Sequence, residues 1–150
     1  MKSDRSAATP AGSGAFSVVE RVRYPDVDPA GIIYFGAYAR FIDIVESERF
    51  RSLGFTYASL EALGIVLARV HVEFDFFKPA QLDDELVLRL RVAGVGIHSV
   101  RLKVDIHRAS DEALLAEARL VTACVDHETR KSKPLPPEFA DALRAKIKER

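Results

Sequence analysis

The chain reads as an α+β domain in which five antiparallel strands curl around one long central helix. Two periodicities predict this. Tyr38, Phe41, Ile42 and Val45 recur at the i, i+3, i+4, i+7 spacing of one buried helical face. From Val66 onward the period falls to two, and successive segments alternate apolar and polar residues as half-buried antiparallel strands do. An apolar helix stripe and an apolar sheet face are most economically buried against each other, which gives a two-layer fold.

Met1 to Gly14 is a mixture of Ser, Ala, Gly and Pro with no apolar h-region. It reads as a disordered tail and not as a signal peptide, leaving 15–150 as a single domain. The first strand is expected over Phe16–Tyr24, with Phe16, Val18, Val22 and Tyr24 on one side; Glu20 interrupts that apolar face. The main helix should run from about Ala37 to Leu53, with Gly54 as its C′ residue. Thr56 can cap a short helix over Tyr57–Leu63 that stops at Gly64. Val66, Ala68, Val70, Val72, Phe74 and Phe76 form the buried face of the second strand. Lys78 to Asp84 is a turn. Leu86–Val92, Val100–Ile106 and Leu114–Cys124 supply the remaining strands, the last with small residues that let a helix approach closely. After Pro134, Pro136 and Pro137 comes a terminal helix with Phe139, Leu143 and Ile147 on one stripe.

Composition bounds the function. With 150 residues, 48% of them apolar, one domain can bury a substantial core. Twenty-two basic residues cancel 22 acidic ones, which argues against a dedicated nucleic-acid or membrane-surface binder. Cys124 is the one cysteine, so no intrachain disulfide forms and a reducing cytoplasm is the simplest compartment. No run reaches the roughly 18 apolar residues of a membrane span.

The chemistry concentrates in Tyr24-Pro-Asp26-Val-Asp28-Pro-Ala-Gly31-Ile-Ile-Tyr34-Phe35-Gly36-Ala-Tyr38. A carboxylate in a stiff loop just ahead of a buried helix is an unusual arrangement, because helix N-termini present unpaired N–H groups to developing negative charge. Asp28 beside such an end would combine a base or nucleophile with an oxyanion donor. The bland alternative is a turn, which Asp before Pro commonly opens. Asp26 reads as a turn residue. Two acids with no His beside them make a poor metal site, so neither metal nor cofactor is expected.

The run from Asp26 to Phe35, followed by Tyr38 and the helix, resembles the signature of hotdog-fold acyl-CoA thioesterases of the 4-hydroxybenzoyl-CoA thioesterase type. The related short-chain acyl-CoA thioesterases share its Asp-x-Asp-x-x-Gly core. The resemblance implies a hotdog fold and hydrolysis of an aromatic or short-to-medium-chain acyl-CoA to the acid and CoA, CoA being part of the substrate. It gives Asp28 the role of nucleophile or general base and the Phe35 backbone N–H that of oxyanion donor, with Tyr34 and Tyr38 beside them. The short-chain branch usually has His where this chain has Phe35, which tilts the expectation toward aryl groups. Other hotdog thioesterases carry the carboxylate on the helix, so Asp43 and Glu46 are backups; read alone, they are exposed helix charges.

For the CoA phosphates the best cations lie in the loop His127–Lys133, notably Arg130 and Lys131. Family members can add a base at the start of the fourth strand, where this chain has His98 and Ser99. His71 and His107 fall on wet strand faces and read as exposed. Unpaired sheet edges need covering, and the resemblance implies a homodimer or homotetramer with the active site at the dimer interface. A hydratase would want a His within Tyr24–Gly36, and there is none. The alternative from another class is a non-catalytic acyl-CoA-binding or regulatory module, which would not need Asp28.

Overall fold

The computed structural model describes residues 15–148, so the tail expected over 1–14 lies outside the described residues. Five strands, β1 (Phe16–Arg21), β2 (Ile65–Phe76), β3 (Glu85–Val95), β4 (Ser99–Arg108) and β5 (Leu114–Asp126), form one antiparallel sheet in the order β1-β3-β4-β5-β2. The long helix α1 (Tyr38–Ser52) packs against it, with α2 (Tyr57–Ala62) and α3 (Pro137–Arg144) alongside. Single 3-10 turns occupy Tyr24–Asp26 and Phe35–Ala37.

The core lies between α1 and the inner sheet face. Phe41, Ile42, Val45 and Phe50 from the helix meet Leu86, Leu88, Leu90, Leu102, Val104, Ile106, Ala118 and Leu120 from the strands. Phe139 of α3 packs edge-on against both Phe50 and Phe55, with ring centroids 5.1 Å away in each case. Gly54 takes φ +91 and ends α1 as expected, since a side chain would be strained there. Thr56 caps α2 by accepting the Ser59 N–H at 3.0 Å.

Several expectations need correction. β1 stops at Arg21, and Tyr24, expected on its apolar face, lies in the following turn and is 81% exposed. After the Val22 N–H bonds Asp84 O, the chain leaves the sheet in the 3-10 turn Tyr24–Asp26, which carries Pro25 in its first turn. Glu20 does face inward, where it accepts from the Arg21 N–H and pairs with Arg23. The alternation read along β2 holds only in its second half. A bulge between Arg69 and His71 inserts Val70, so Val72, Phe74 and Phe76 share a face with Leu67 and Arg69, not with Val66 and Ala68. A second irregularity, where Ile106 pairs with Ala116 and His107 with Leu114, leaves Leu115 fully buried. Ile147 lies past the end of α3 and is partly exposed. His107 is half-buried, and burial followed by the Arg89 charge lowers its pKa.

β1 and β2 are the sheet's edges. β2 is the longer, at 12 residues, and leaves Val70, Val72 and Phe76 exposed along it. No helix among the described residues is long and apolar enough to cross a membrane.

Candidate active site

The signature loop closes on itself. The Tyr34 N–H donates to the Asp26 carbonyl at 3.2 Å, the Asp28 N–H to Ile32 O at 2.9 Å and the Gly31 N–H to Asp28 O at 2.9 Å. Gly31 sits at φ +79, a conformation that suits glycine and completes the tight turn. The Ala30 N–H donates to Asp28 Oδ1 at 2.8 Å, so one carboxylate oxygen is held by the loop it belongs to. The loop is moored to the rest of the fold by the Ile33 N–H bonding to Ala80 O at 2.9 Å and by the pairing of Ile32 with Gln81.

Asp26 is more than a turn residue. It is buried, and its carboxylate receives Arg40 Nε at 2.8 Å, Arg40 Nη2 and the Arg23 N–H at 2.8 Å. Burial pushes this carboxyl up, but the Arg40 bond and charge and the Arg23 N–H outweigh it and hold the pKa below the ordinary value. Arg40 belongs to α1, so this pair fixes the loop to the helix it introduces.

Phe35 opens the helical run, at the place where the first N–H groups lack an intrahelical acceptor. Phe35 lines a cleft of about 280 Å³ with Ile33, Tyr38, Phe76, Phe77, Lys78 and Pro79. Asp28 stands outside that lining. Tyr38 is a core residue whose ring tilts against Phe76 at 5.3 Å and Phe74 at 6.2 Å, and burial raises its hydroxyl pKa. Tyr34 lies partly exposed over Gly36, where a Cβ would come within 2.7 Å of Tyr34 Cε2. Gly36→Ala should therefore displace the Tyr34 ring. We expect roughly a tenfold loss in kcat/KM, typical of a small misplacement at a site, with thermal stability little changed, checked by steady-state assay and melting curve.

The helix carboxylates have separate fates. Asp43 is exposed, whereas Glu46 is only 2% exposed and tied at both oxygens. Tyr57 Oη donates to Glu46 Oε1 at 2.8 Å, Arg69 Nη1 to Oε2 at 3.1 Å and Arg69 Nη2 to Oε1 at 3.3 Å. Burial and then the Glu46 charge push the Tyr57 hydroxyl well above its ordinary pKa, so it stays a neutral donor. With Asp43, Ser47, Leu67 and Thr122, these three line a second cavity of about 430 Å³ between α1 and β2. Sequence reasoning missed Arg69 because the bulge conceals that it faces inward.

The basic loop is built around Asp126, which accepts the Glu128 and Thr129 N–H groups, each at 2.9 Å, and Lys133 Nζ at 3.3 Å. The two N–H bonds push the Asp126 carboxyl down to about 2. A native pKa below the ordinary 3.8 adds stability that is present above pH 3.8 and lost as pH falls toward about 2. Asp126→Asn should therefore flatten the acid limb of stability in that window, read from urea midpoints across pH. Arg130 and Lys131 are exposed, and among the described residues no ion pair holds either. His98 is exposed and Ser99 half-buried on the neighbouring turn, where His98 O accepts the Cys124 N–H at 2.7 Å.

Asp28 and these cations lie at opposite ends of the sheet. The Asp28 loop is moored at Ala80, close to the start of β5 where the Phe77 N–H bonds Leu115 O, while Arg130 and Lys131 follow that strand's last residue, Asp126. Thirteen residues of strand separate the two ends, about 40 Å at roughly 3.3 Å per residue.

A thioesterase-like superfamily model matches residues 22–143. The 1,4-dihydroxy-2-naphthoyl-CoA hydrolase of Synechocystis sp. is 28% identical over 131 residues, covering 87% of this chain and 95% of that protein. The acyl-CoA thioester hydrolase YbgC of Escherichia coli is 28% identical over 116 residues, covering 77% of this chain and 86% of that one. Among solved structures, a 1,4-dihydroxy-2-naphthoyl-CoA thioesterase from Synechocystis superposes with a TM-score of 0.81 at 27% identity, covering 87% and 96% of the two chains. A Staphylococcus aureus protein solved in complex with CoA gives a TM-score of 0.85 at 15% identity over 95% of this chain and 90% of that one, a likeness of fold alone. The chain belongs to the thioesterase-like superfamily, as a hotdog-fold enzyme of the thioester-hydrolase class.

Proposed function

We propose that this enzyme hydrolyses acyl-CoA thioesters, with an aromatic acyl group as the preferred class. The observation that carries the proposal is the closed loop that fixes the Asp28 carboxylate seven residues ahead of the N–H that opens the α1 run. Asp28 either attacks the thioester carbonyl carbon to form an acyl anhydride or takes a proton from the water that attacks it. In both routes the carbonyl oxygen gains negative charge, which the Phe35 N–H meets, and the C–S bond breaks to release CoA, whose thiolate takes a proton from water; in the first route water then cleaves the anhydride, releasing the acid and restoring Asp28. The apolar, aromatic-walled cleft of Phe35, Tyr38, Phe76 and Phe77 suits an aryl group, and the substrate named for the Synechocystis relative is of that kind.

The working unit is a homodimer, alone or within a tetramer. The CoA-phosphate cations Arg130 and Lys131, with His98 and Ser99 beside them, lie a strand's length from Asp28 in the same chain. Antiparallel pairing of two β2 edges would bring the basic end of one copy to the Asp28 end of the other. The exposed Val70, Val72 and Phe76 would be covered by the same contact. Each substrate would then be held by both copies, its thioester at one chain's loop and its phosphates at the other's.

The test is thiol release from benzoyl-CoA, 4-hydroxybenzoyl-CoA and a series of straight-chain acyl-CoAs, with mass in solution measured on the same sample. Hydrolysis ranked aryl over alkyl by a dimer or tetramer is the expected result. Acyl-CoA binding without thiol release would sink the hydrolase reading, and full activity in a monomer would sink the shared site.

A further inference from the structure

The cleft ahead of α1 carries one charge. Ile33, Phe35 and Tyr38 line it from the signature loop and the start of the helix, and residues 76–79 line it from the end of β2. Lys78 is the one charged residue in that lining, and no acid stands there with it. Its side chain is exposed, and among the described residues its ammonium has no ion pair, no hydrogen bond and no aromatic ring beneath it. Other cations at this end of the sheet are committed to acids: Arg21 to Glu85, Arg40 to Asp26, and Arg108 to Asp84 and Asp111. The main chain under Lys78 is pinned on both flanks. The Phe77 and Lys78 N–H groups both bond Leu115 O, at 2.8 and 3.2 Å, Arg108 Nη2 donates to Pro79 O at 2.9 Å, and the Ile33 N–H bonds Ala80 O. Pro79 further restricts the residue before it to extended backbone. The lysine stem therefore leaves from a fixed point on the cleft wall.

From this arrangement we infer that Lys78 makes the cleft a subsite for acyl groups that carry a carboxylate at their far end. The inference rests on the acyl-CoA reading above. Ligand cavities are mostly apolar and fix orientation through a few polar groups, and here the accessible charged group is a cation without a counter-ion. An ammonium offers three donors, and a carboxylate brought by the ligand accepts from it in a charge-assisted bond. The phosphates of CoA do not fit this role. The pantetheine arm separates them from the thioester, and a cleft of about 280 Å³ has no room for that arm and both of its ends. With the thioester carbonyl at the Phe35 N–H, the group that extends along the cleft to Lys78 is the acyl group. Its apolar body meets Phe76 and Phe77, and its carboxylate meets the ammonium. No acid in the lining opposes that charge, since Asp28 stands outside it.

The experiment measures equilibrium affinity for benzoyl-CoA and 4-carboxybenzoyl-CoA, which differ only in the distal charge. Asp28→Asn protein is used, so turnover does not intrude. The carboxyl probe should bind more tightly than the unsubstituted one. An added Lys78→Met should lower the ratio of the two affinities roughly threefold to tenfold, the worth of one solvent-accessible charged hydrogen bond. Lys78→Arg should keep the ratio, and Lys78→Glu should push it below the value for Lys78→Met. Raising the salt to about 1 M should lower the ratio in the Lys78 protein and leave it unmoved in Lys78→Met, because salt screens the charge pair alone. A ratio that Lys78→Met leaves unchanged, or a carboxyl probe that binds no better than benzoyl-CoA to the Lys78 protein, overturns the inference. The failures of the two readings differ. If Asp28-intact protein releases no thiol but the ratio follows the charge at position 78, the hydrolase reading fails and the subsite stands. If thiol is released but the ratio ignores that charge, the subsite fails and the hydrolase reading stands.

Discussion

Asp28→Asn is expected to lower kcat for acyl-CoA hydrolysis by about 10²- to 10⁴-fold, the span of a lost general base or nucleophile. Asparagine is the informative replacement because its amide oxygen can still accept the Ala30 N–H that Asp28 Oδ1 holds at 2.8 Å. The main-chain bonds of the turn, Asp28 N–H to Ile32 O and Gly31 N–H to Asp28 O, do not involve the side chain and remain. The variant should therefore melt within a few degrees of the parent and retain acyl-CoA affinity. That separates lost chemistry from lost structure. Hydrolysis at parental rate would shift attention to Asp43, the exposed acid on α1. Glu46 is the weaker backup, because its carboxylate is already bonded to Arg69 and Tyr57.

The second large effect concerns stability. Arg69→Met should destabilise the protein by roughly 3 kcal/mol, since removing one partner of a buried ion pair leaves the other uncompensated. The Glu46 side chain is 3% exposed and that of Arg69 26%, so water reaches the cation side only in part. For a chain of this length the loss corresponds to a fall in Tm of about 10 °C. The double variant Glu46→Met/Arg69→Met should recover most of it, because replacing both members of such a pair with apolar groups is far less costly than removing one. Urea midpoints of the two single variants and the double variant give the coupling directly. Equal destabilisation in the single and double variants would show that Arg69 acts through packing of its stem and not through Glu46.

Both variants probe parts of the molecule that differ in how openly the sequence displays them. The Asp26–Gly31 loop is written in residues a few positions apart, and its bonds are local, so Asp, Pro and Gly in that order announce the turn. The α1 stripe and the inner faces of β3 and β4 follow from periodicity alone. Other features depend on distance along the chain. Asp26 looked like one more turn acid because Arg40, its partner, stands 14 positions away on another element. Arg69 and Glu46 are 23 positions apart, and nothing in either segment names the other. Apolar residues at 66, 68 and 70 mimicked a continuous inner face, whereas the inward residues before the bulge are Leu67 and Arg69. The separation of Asp28 from Arg130 and Lys131 is a property of strand order, which no local pattern records.

The bulge at Val70 has a consequence for how this chain tolerates change in length. In a regular strand, deleting one residue turns every later side chain to the opposite face, which makes such deletions far more damaging than substitutions. In β2, Arg69 and His71 already pair with the adjacent residues Thr122 and Val121, and Val70 is the surplus between them. Its removal would leave Arg69 inward, His71 outward and Val72 inward, with every pairing beyond it intact. Over evolutionary time Val70 is thus a place where a one-codon loss is neutral to the fold, inside an element where length is otherwise fixed.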